Sequence, residues 1–517
     1  EITKADLVAF ANKYYGNNYA VSYKRKGENN KPKVNKPKIT PIVLNRDSSS
    51  GFAKNFFSVK SRDIEPVFID LSTNMMNHRF NPMTDVYYIP NLDNDLARYT
   101  MIYDGGLDND LMYGLAGEYL KYLGTDKLTA EEFKKELFKL GLTVSYNVTR
   151  DRTTFSIFGL EENIEQGIEL LKEHISSCKP DQKAFEEMIK DLIKQRQNAK
   201  TDKGVILRNM VNYAKYGPVN PSTNIISEET LKSMNAEGFM RAIHGFAMMP
   251  VKIFFYGKKD IRQMFRSEMN TVKSVFSKPT NSAEQRMDNT YIPQIPNAIQ
   301  YKAQDNSGKQ VLFYNYPGMV QAQIMLVSKG EPLNPLNLSG STLFADYFGG
   351  GLSSIVFQEI REQKAIAYSA YAAFTTPERK NENHFLQAFV GTQSDKMETA
   401  MTEMLKLLNK MPRVEKQYEN ARNSTIKQIA SDRITKENIF WRNEALKKMG
   451  FEKDFREAVY NDIKATDMDK FEKFFNANIA NKNFTYVILG DKTKINFEAL
   501  KKVGEVKEMT PQEVFAY

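Results

Sequence analysis

Alternating apolar and polar positions are clearest at 85–106, "DVYYIPNLDNDLARYTMIYDGG", where an apolar run, a polar turn and a second alternating run end on paired glycines. The same form returns at 310–331 as "QVLFYNYPGMVQAQIMLVSKGE". Short β-branched and aromatic runs of period two, bounded by turn residues, predict paired strands. Aligning Val86 with Val311 sets an offset of 225 residues, which also carries Gly124 onto Gly349 and Tyr146 onto Tyr371. The period then lengthens to that of a helix. "FGLEENIEQGIELLKEHI" (158–175) and "VGTQSDKMETAMTEMLKLL" (390–408) each read as a strand end leading into an amphipathic helix. Charge-rich helical stretches follow at 181–215 and 413–448.

A closing unit of helix, turn and edge-like strand occurs three times. It opens the chain and ends at Gly27, covers 234–259 and ends its strand at Gly257, and covers 463–492 with Gly490 at its end. A repeat on this scale governs every local reading. The pattern predicts α+β domains, each a sheet covered by helices. Residues 1–27 form the C-terminal remnant of a preceding copy, and 28–66 a linker. A first domain covers 67–277, a second linker 278–299 and a second domain 300–517. The chain opens inside a helical pattern and on Glu1, so it reads as a piece of a longer protein.

Composition narrows the function. Of 517 residues 41% are hydrophobic and 12% aromatic, with charges interspersed, which suits large soluble cores. The net charge of +9 owes much to "YKRKGENNKPKVNKPK" (23–38). The Pro, Asn and Gly in that run mark a solvated linker, and no nucleic-acid reader motif occurs, so no nucleic-acid partner is expected. The single Cys178 excludes an internal disulfide and any multi-cysteine metal site. No apolar run has the length of a membrane span.

The triple-glycine segment at 349–351 with "FQEIREQKAIAYSAY" (357–371) resembles the C-terminal signature of the insulinase/pitrilysin family of zinc metallopeptidases. "YAKYGPVNPSTNIISEETLKSMNAEGFMRAI" (213–243) is similar to another stretch of that family, and the order of elements fits across nearly the whole chain. The resemblance implies two tandem domains of the mitochondrial-processing-peptidase-like metallohydrolase fold, an antiparallel sheet covered by helices. In that family four such domains form two halves closing around a chamber. The first domain holds zinc through H-x-x-E-H and a carboxylate roughly seventy-five residues on.

This chain departs from that zinc pattern. Its four histidines, His78, His174, His244 and His384, are scattered, and no H-x-x-E-H exists. In "YGLAGEYLKYLGT" (113–125) Leu115, Glu118 and Tyr119 occupy the motif's places, and Lys194 to Arg196 offer no carboxylate where the third ligand would fall. The second domain's "STLFADYFGGG" (341–351) is equally empty. No metal ligand and no cofactor are expected here; the resemblance puts zinc in an N-terminal half, which becomes a partner alongside the peptide substrate.

What the resemblance does carry over is an arginine and a tyrosine seven residues apart, Arg361 and Tyr368, as catalytic residues. A guanidinium and a phenol can hydrogen-bond a scissile carbonyl and count most where negative charge develops. Period two puts Tyr368, Ala370 and Ala372 on one face and Ser369 and Tyr371 on the other. Gly349, Gly350 and Gly351 either let a substrate backbone approach or form a tight turn. Arg361 could equally pair with Glu359, Glu362 or a neighbouring helix, and Tyr368 could be a core aromatic with a wet hydroxyl. At the shared offset the first domain has Glu136 and Thr143 instead. The resulting expectation is the C-terminal, non-zinc half of a metalloendopeptidase, inactive alone and placed in a bacterial periplasm. The alternative is a catalytically silent scaffold relative of processing-peptidase subunits.

Overall fold

The computed structural model describes residues 2–25, 27, 50–59, 62–70, 75–81, 83–259, 295–306 and 310–517. Most of the expected linkers at 28–66 and 278–299 therefore lies outside the described residues. The chain divides into two units, 1–63 and 64–517. In the first, helix Lys4–Tyr14 starts at a capping box in which the Thr3 side chain accepts from Asp6 N and Asp6 returns the bond. The strand expected to end at Gly27 does not form, because residues 18–25 join no ladder. Tyr19, Val21 and Tyr23 keep the alternation and are exposed. An extended segment becomes a strand only when a neighbour takes its backbone hydrogen bonds.

The second unit is built on two six-stranded sheets that share the order of five strands and differ in the sixth, an outer strand. Sheet one comprises β1 (Met76–Asn81), β2 (Thr84–Pro90), β3 (Leu96–Tyr103), β4 (Leu142–Val148), β5 (Thr153–Leu160) and β6 (Val251–Gly257), in the order β1-β2-β6-β3-β5-β4. Sheet two comprises β7 (Gln310–Asn315), β8 (Gln321–Pro332), β9 (Ser369–Thr375), β10 (Asn383–Gln393), β11 (Thr485–Gly490) and β12 (Glu505–Glu508), in the order β12-β7-β11-β8-β10-β9. The α+β class and helix-covered sheets are as expected, with one refinement. In each sheet the closing strand, β6 or β11, inserts parallel to one neighbour and antiparallel to the other. A strand that returns after long helices can enter in either sense, whereas a tight hairpin enforces antiparallel pairing.

One face of each sheet packs on its own helices. Val86, Tyr99, Phe155, Ile157, Ile253 and Phe255 of sheet one meet Leu171, Phe185 and Phe239 from helices 164–177, 182–199 and 236–245. Val311, Ile324, Leu326, Val390 and Ile488 of sheet two meet Met401, Met404 and Phe475 from helices 397–409 and 468–478. The other faces are covered by exchange. Helix Lys203–Tyr216 lies among sheet one's helices in sequence, yet its Ile206, Met210, Val211 and Ala214 cover Leu312, Met325, Val487 and Leu489 of sheet two. Helix Lys436–Met449 in turn lays Ile439 and Phe440 on Tyr87, Ile89, Ile102 and Phe254 of sheet one. Phe440 stacks on Phe254 at 4.5 Å between ring centroids.

A polar joint fixes the loop ends between the sheets. Asp108 is buried, accepting from Arg150 Nε at 3.0 Å and from the Tyr301 hydroxyl at 2.8 Å. Arg379 approaches Asp151 at 3.4 Å, and Lys448 pairs with the same carboxylate. Burial alone would raise the Asp151 carboxyl, but the Lys448 hydrogen bond and the charges of Lys448, Arg152 and Arg379 bring it down to about 2.

Candidate functional site

The segment from Gly349 to Thr375 is shaped by what it buries. A π-helical turn, Phe344–Gly349, ends where Gly350 N donates to Ala345 O at 2.6 Å. A Cβ on Gly349 would lie 1.8 Å from Ala372 O, so this position is closed to any side chain by the backbone of β9. Gly351 has φ +78 and open space around it. Of the three glycines, Gly349 is buried and Gly351 exposed, so the run first makes a close backbone packing and then a turn.

Ser354 opens the next helix, accepting from Phe357 N and donating to Gly351 O at 3.0 Å. Ile355, Val356 and Ile360 sink into the core. The π-helical stretch Phe357–Gln363 thereby turns Arg361 outward. The guanidinium of Arg361 lies 4.7 Å from the Phe357 ring centroid, and its Nε is 3.8 Å from Glu362. Among the described residues it makes no side-chain hydrogen bond, so its donors face solvent. Ala365, at φ 48, reverses the chain, and Tyr368 N donates to Gly391 O at 2.8 Å as the segment joins β10.

Tyr368 is 54% exposed, against 6% for Ala370 and 2% for Ala372. Alternation places all three on one face, but Tyr368 stands beyond the helical cover at the strand's end. Its hydroxyl accepts from Gln393 Nε2 at 3.1 Å, which leaves the O–H free to donate outward. The core-aromatic alternative for Tyr368 thus does not describe its position, and the long Arg361–Glu362 contact is a weak exposed pair. Gln393 was not singled out from the sequence. It lies 25 residues away on another strand, and only the alternation of β10 hints at it.

Ladder register corrects one detail of the expected repeat. Ala97, Gly159 and Leu142 share a rung in sheet one. In sheet two Ala322 pairs with Thr392, and Tyr368 is the next residue beyond the Ser369–Gly391 pair. The counterpart of Tyr368 is therefore buried Leu142, with Thr143 one place on. The 225 offset holds at Val86 and Val311, both core residues, but has slipped by one at Tyr146 and Tyr371. Tyr146 packs towards helices, whereas Tyr371 lies on the opposite face. A one-residue slip reverses the face of every side chain in a strand.

The positions where the zinc motif would fall are filled with packing. Leu115 is buried and Tyr119 fully so, its hydroxyl donating to Asp181 O at 2.8 Å and accepting from Asp181 N at 2.9 Å. Glu118 pairs with Lys121 on the surface. Buried His174 donates from Nε2 to Leu123 O at 3.1 Å and meets the Tyr146 hydroxyl through Nδ1; burial pushes it down to about 4. His384 bonds Thr375 O through Nδ1 at 3.1 Å, and His244 lies 3.2 Å from Cys178 O. Burial pushes the Cys178 thiol up to about 12, an unreactive state. Among the described residues no group of three His, Cys, Asp or Glu could hold a metal ion. The donor set does not fit zinc.

Comparisons with known proteins bear on the family and the fold. Residues 251–424 match the family model "Peptidase M16 inactive domain", and 108–224 match "Insulinase (Peptidase family M16)". The Bacillus subtilis protein called uncharacterized zinc protease YmxG is 21% identical over 312 residues, 59% of this chain and 70% of that protein. A peptidase M16 inactive domain from Pseudomonas fluorescens superposes with a TM-score of 0.61 at 14% identity, over 82% of this chain and all of that one. The periplasmic protease PqqL from Escherichia coli gives 0.62 at 13% identity. There 95% of this chain is covered, and it spans about half of PqqL (51%). No described helix is long and apolar enough to cross a membrane.

Proposed function

Because the chain belongs to the insulinase peptidase family, M16, we propose that it is the C-terminal, non-zinc half of a zinc metalloendopeptidase. On this reading the two sheets are two copies of one module, bounded at 67–277 and 300–517. They close a chamber with an N-terminal half that carries the zinc. This half binds extended peptide and supplies Arg361 and Tyr368. The guanidinium and the free phenol O–H hydrogen-bond the scissile carbonyl and stabilise the negative charge that develops there. The glycine turn at 349–351 shapes the margin of the substrate path. A periplasmic location suits the likeness to PqqL.

The observation that carries this reading is the exposure of both side chains, with the phenol O–H free to donate and the guanidinium making no side-chain hydrogen bond among the described residues. A packing residue would spend those donors inside the fold. The test is Tyr368→Phe in the full-length protein, which removes only the hydroxyl. Loss of one such donor typically costs about 10²–10³ in rate, while an exposed hydroxyl leaves melting nearly unchanged. Arg361→Lys does not restore an Arg361→Ala loss, since an ammonium lacks the planar fork. Peptide hydrolysis and melting temperature are measured on the same samples. Full turnover in Tyr368→Phe and Arg361→Ala would leave the pair without a catalytic role and favour the scaffold reading.

A further inference from the structure

We propose that Tyr371, stacked on Phe389, is a subsite for a large apolar or aromatic side chain of the bound peptide; this rests on the reading of Arg361 and Tyr368 above. β9 is the outer strand of sheet two. Its Ala370, Ala372 and Phe374 are buried on the helix-packed face, and Tyr371 points to the other face. Helix Lys203–Tyr216 and the C-terminal Val514 and Phe515 cover that other face around Met325, Val487 and Leu489. The cover does not close over Tyr371, which is 40% exposed.

An exposed tyrosine on an outer strand is ordinary; one with a fixed ring beside a proposed reacting centre is not. Tyr371 is directly opposite Phe389 in the ladder, and the rings stack at 5.2 Å and 26°. Phe389 is itself held, packed against the cluster under helix Lys203–Tyr216. Its ring also lies over Gly391, where an added Cβ would be 3.5 Å from the ring edge. The result is a rigid aromatic platform whose accessible part is Tyr371.

The next rung links this platform to Tyr368. Ser369, Gly391 and Gln323 pair across β9, β10 and β8. Beyond Gly391 on the same face, Gln393 holds the Tyr368 hydroxyl. Tyr368 and Tyr371 face opposite sides of outer strand β9, and an extended peptide lying along that strand presents successive groups to both sides. Three residues of strand separate Tyr368 from Tyr371, about 10 Å at ~3.3 Å per residue. The favoured side chain therefore sits two or three residues from the scissile bond.

The experiment uses the full-length protein with zinc stripped by a chelator, and dye-labelled peptides in which Phe is moved through an otherwise alanine-rich sequence. Binding is read by fluorescence anisotropy. A single Phe position should bind more tightly than the all-alanine peptide. Tyr371→Ala should remove about 2- to 10-fold of that preference, the range expected for one aromatic pair. The all-alanine peptide should bind Tyr371→Ala and the parent alike, and Tyr371→Phe and Tyr371→Trp should keep the preference. Absent binding, equal binding of all peptides by the parent, or an equal loss on every peptide in Tyr371→Ala overturns the proposal. Turnover by Tyr368→Phe in the zinc-loaded protein is a separate measurement, so failure of the subsite is distinguishable from failure of the catalytic reading.

Discussion

Truncating Phe440 tests the exchange of helices between the sheets. Its ring is fully buried, stacked on Phe254 at 4.5 Å and tilted against Tyr87 at 5.1 Å. Phe440→Ala returns roughly 150–200 Å² of apolar contact to water or to a cavity. At ~25 cal/mol/Å² this is about 4 kcal/mol, within the range measured for buried phenylalanines. The loss falls on a surface shared by β2, β6 and a helix that comes some 180 residues later in sequence. Chemical denaturation gives the size of the effect, and amide hydrogen exchange gives its place. Exchange should speed up in β2 and β6 of sheet one as well as in helix Lys436–Met449. Phe138→Ala, at a site 85% exposed, is the control and should change stability by less than about 0.5 kcal/mol. If Phe440→Ala costs under 1 kcal/mol, or if protection in β2 and β6 is untouched, the helix is not the cover of sheet one and the exchange is wrong.

Two further outcomes follow from the joint and the glycine run. The folded carboxyl of Asp151 lies near 2, below its ordinary 3.8, so it contributes stability above the unfolded value that disappears as pH falls towards 2. Asp151→Asn should therefore cost roughly 2 kcal/mol near neutral pH, with the gap from the parent closing below pH 4 in urea titrations; a gap constant with pH refutes the charge account. Gly349→Ala must displace the β9 backbone at Ala372 O, and should cost more than about 2 kcal/mol. Gly351→Ala, strained only by φ +78, should cost about 1 kcal/mol; equal melting temperatures for the two variants would contradict the packing described.

The strands were legible because each carries its own period. Val86 to Ile89 and Val311 to Phe313 are short apolar runs in any context, and both proved to be inner strands of their sheets. The slip between Tyr146 and Tyr371 was not legible, since one added residue leaves composition unchanged and shows only in the ladder. Nor could period alone reveal that Met210 and Phe440 serve the opposite sheets; an amphipathic helix declares that it has a partner, not which one. For the site, Arg361 and Tyr368 came from resemblance, and the structure added their exposure. Gln393 and Phe389 reach that region only through β10, a long-range pairing without a local signature. The failed strand at 18–25 has the same cause in reverse, a pattern without a neighbour to complete it.

The exchange of helices also sets a timetable for synthesis. Sheet one is complete once Gly257 has emerged, but Tyr87, Ile89, Ile102 and Phe254 keep an open apolar face until Ile439 and Phe440 leave the ribosome. At ~5–20 residues per second the wait lasts about 10 to 40 s. Throughout it the nascent chain displays the kind of surface that chaperones bind and that neighbouring chains on a polysome can join. Premature termination anywhere between the two events leaves a product whose first sheet can never be closed.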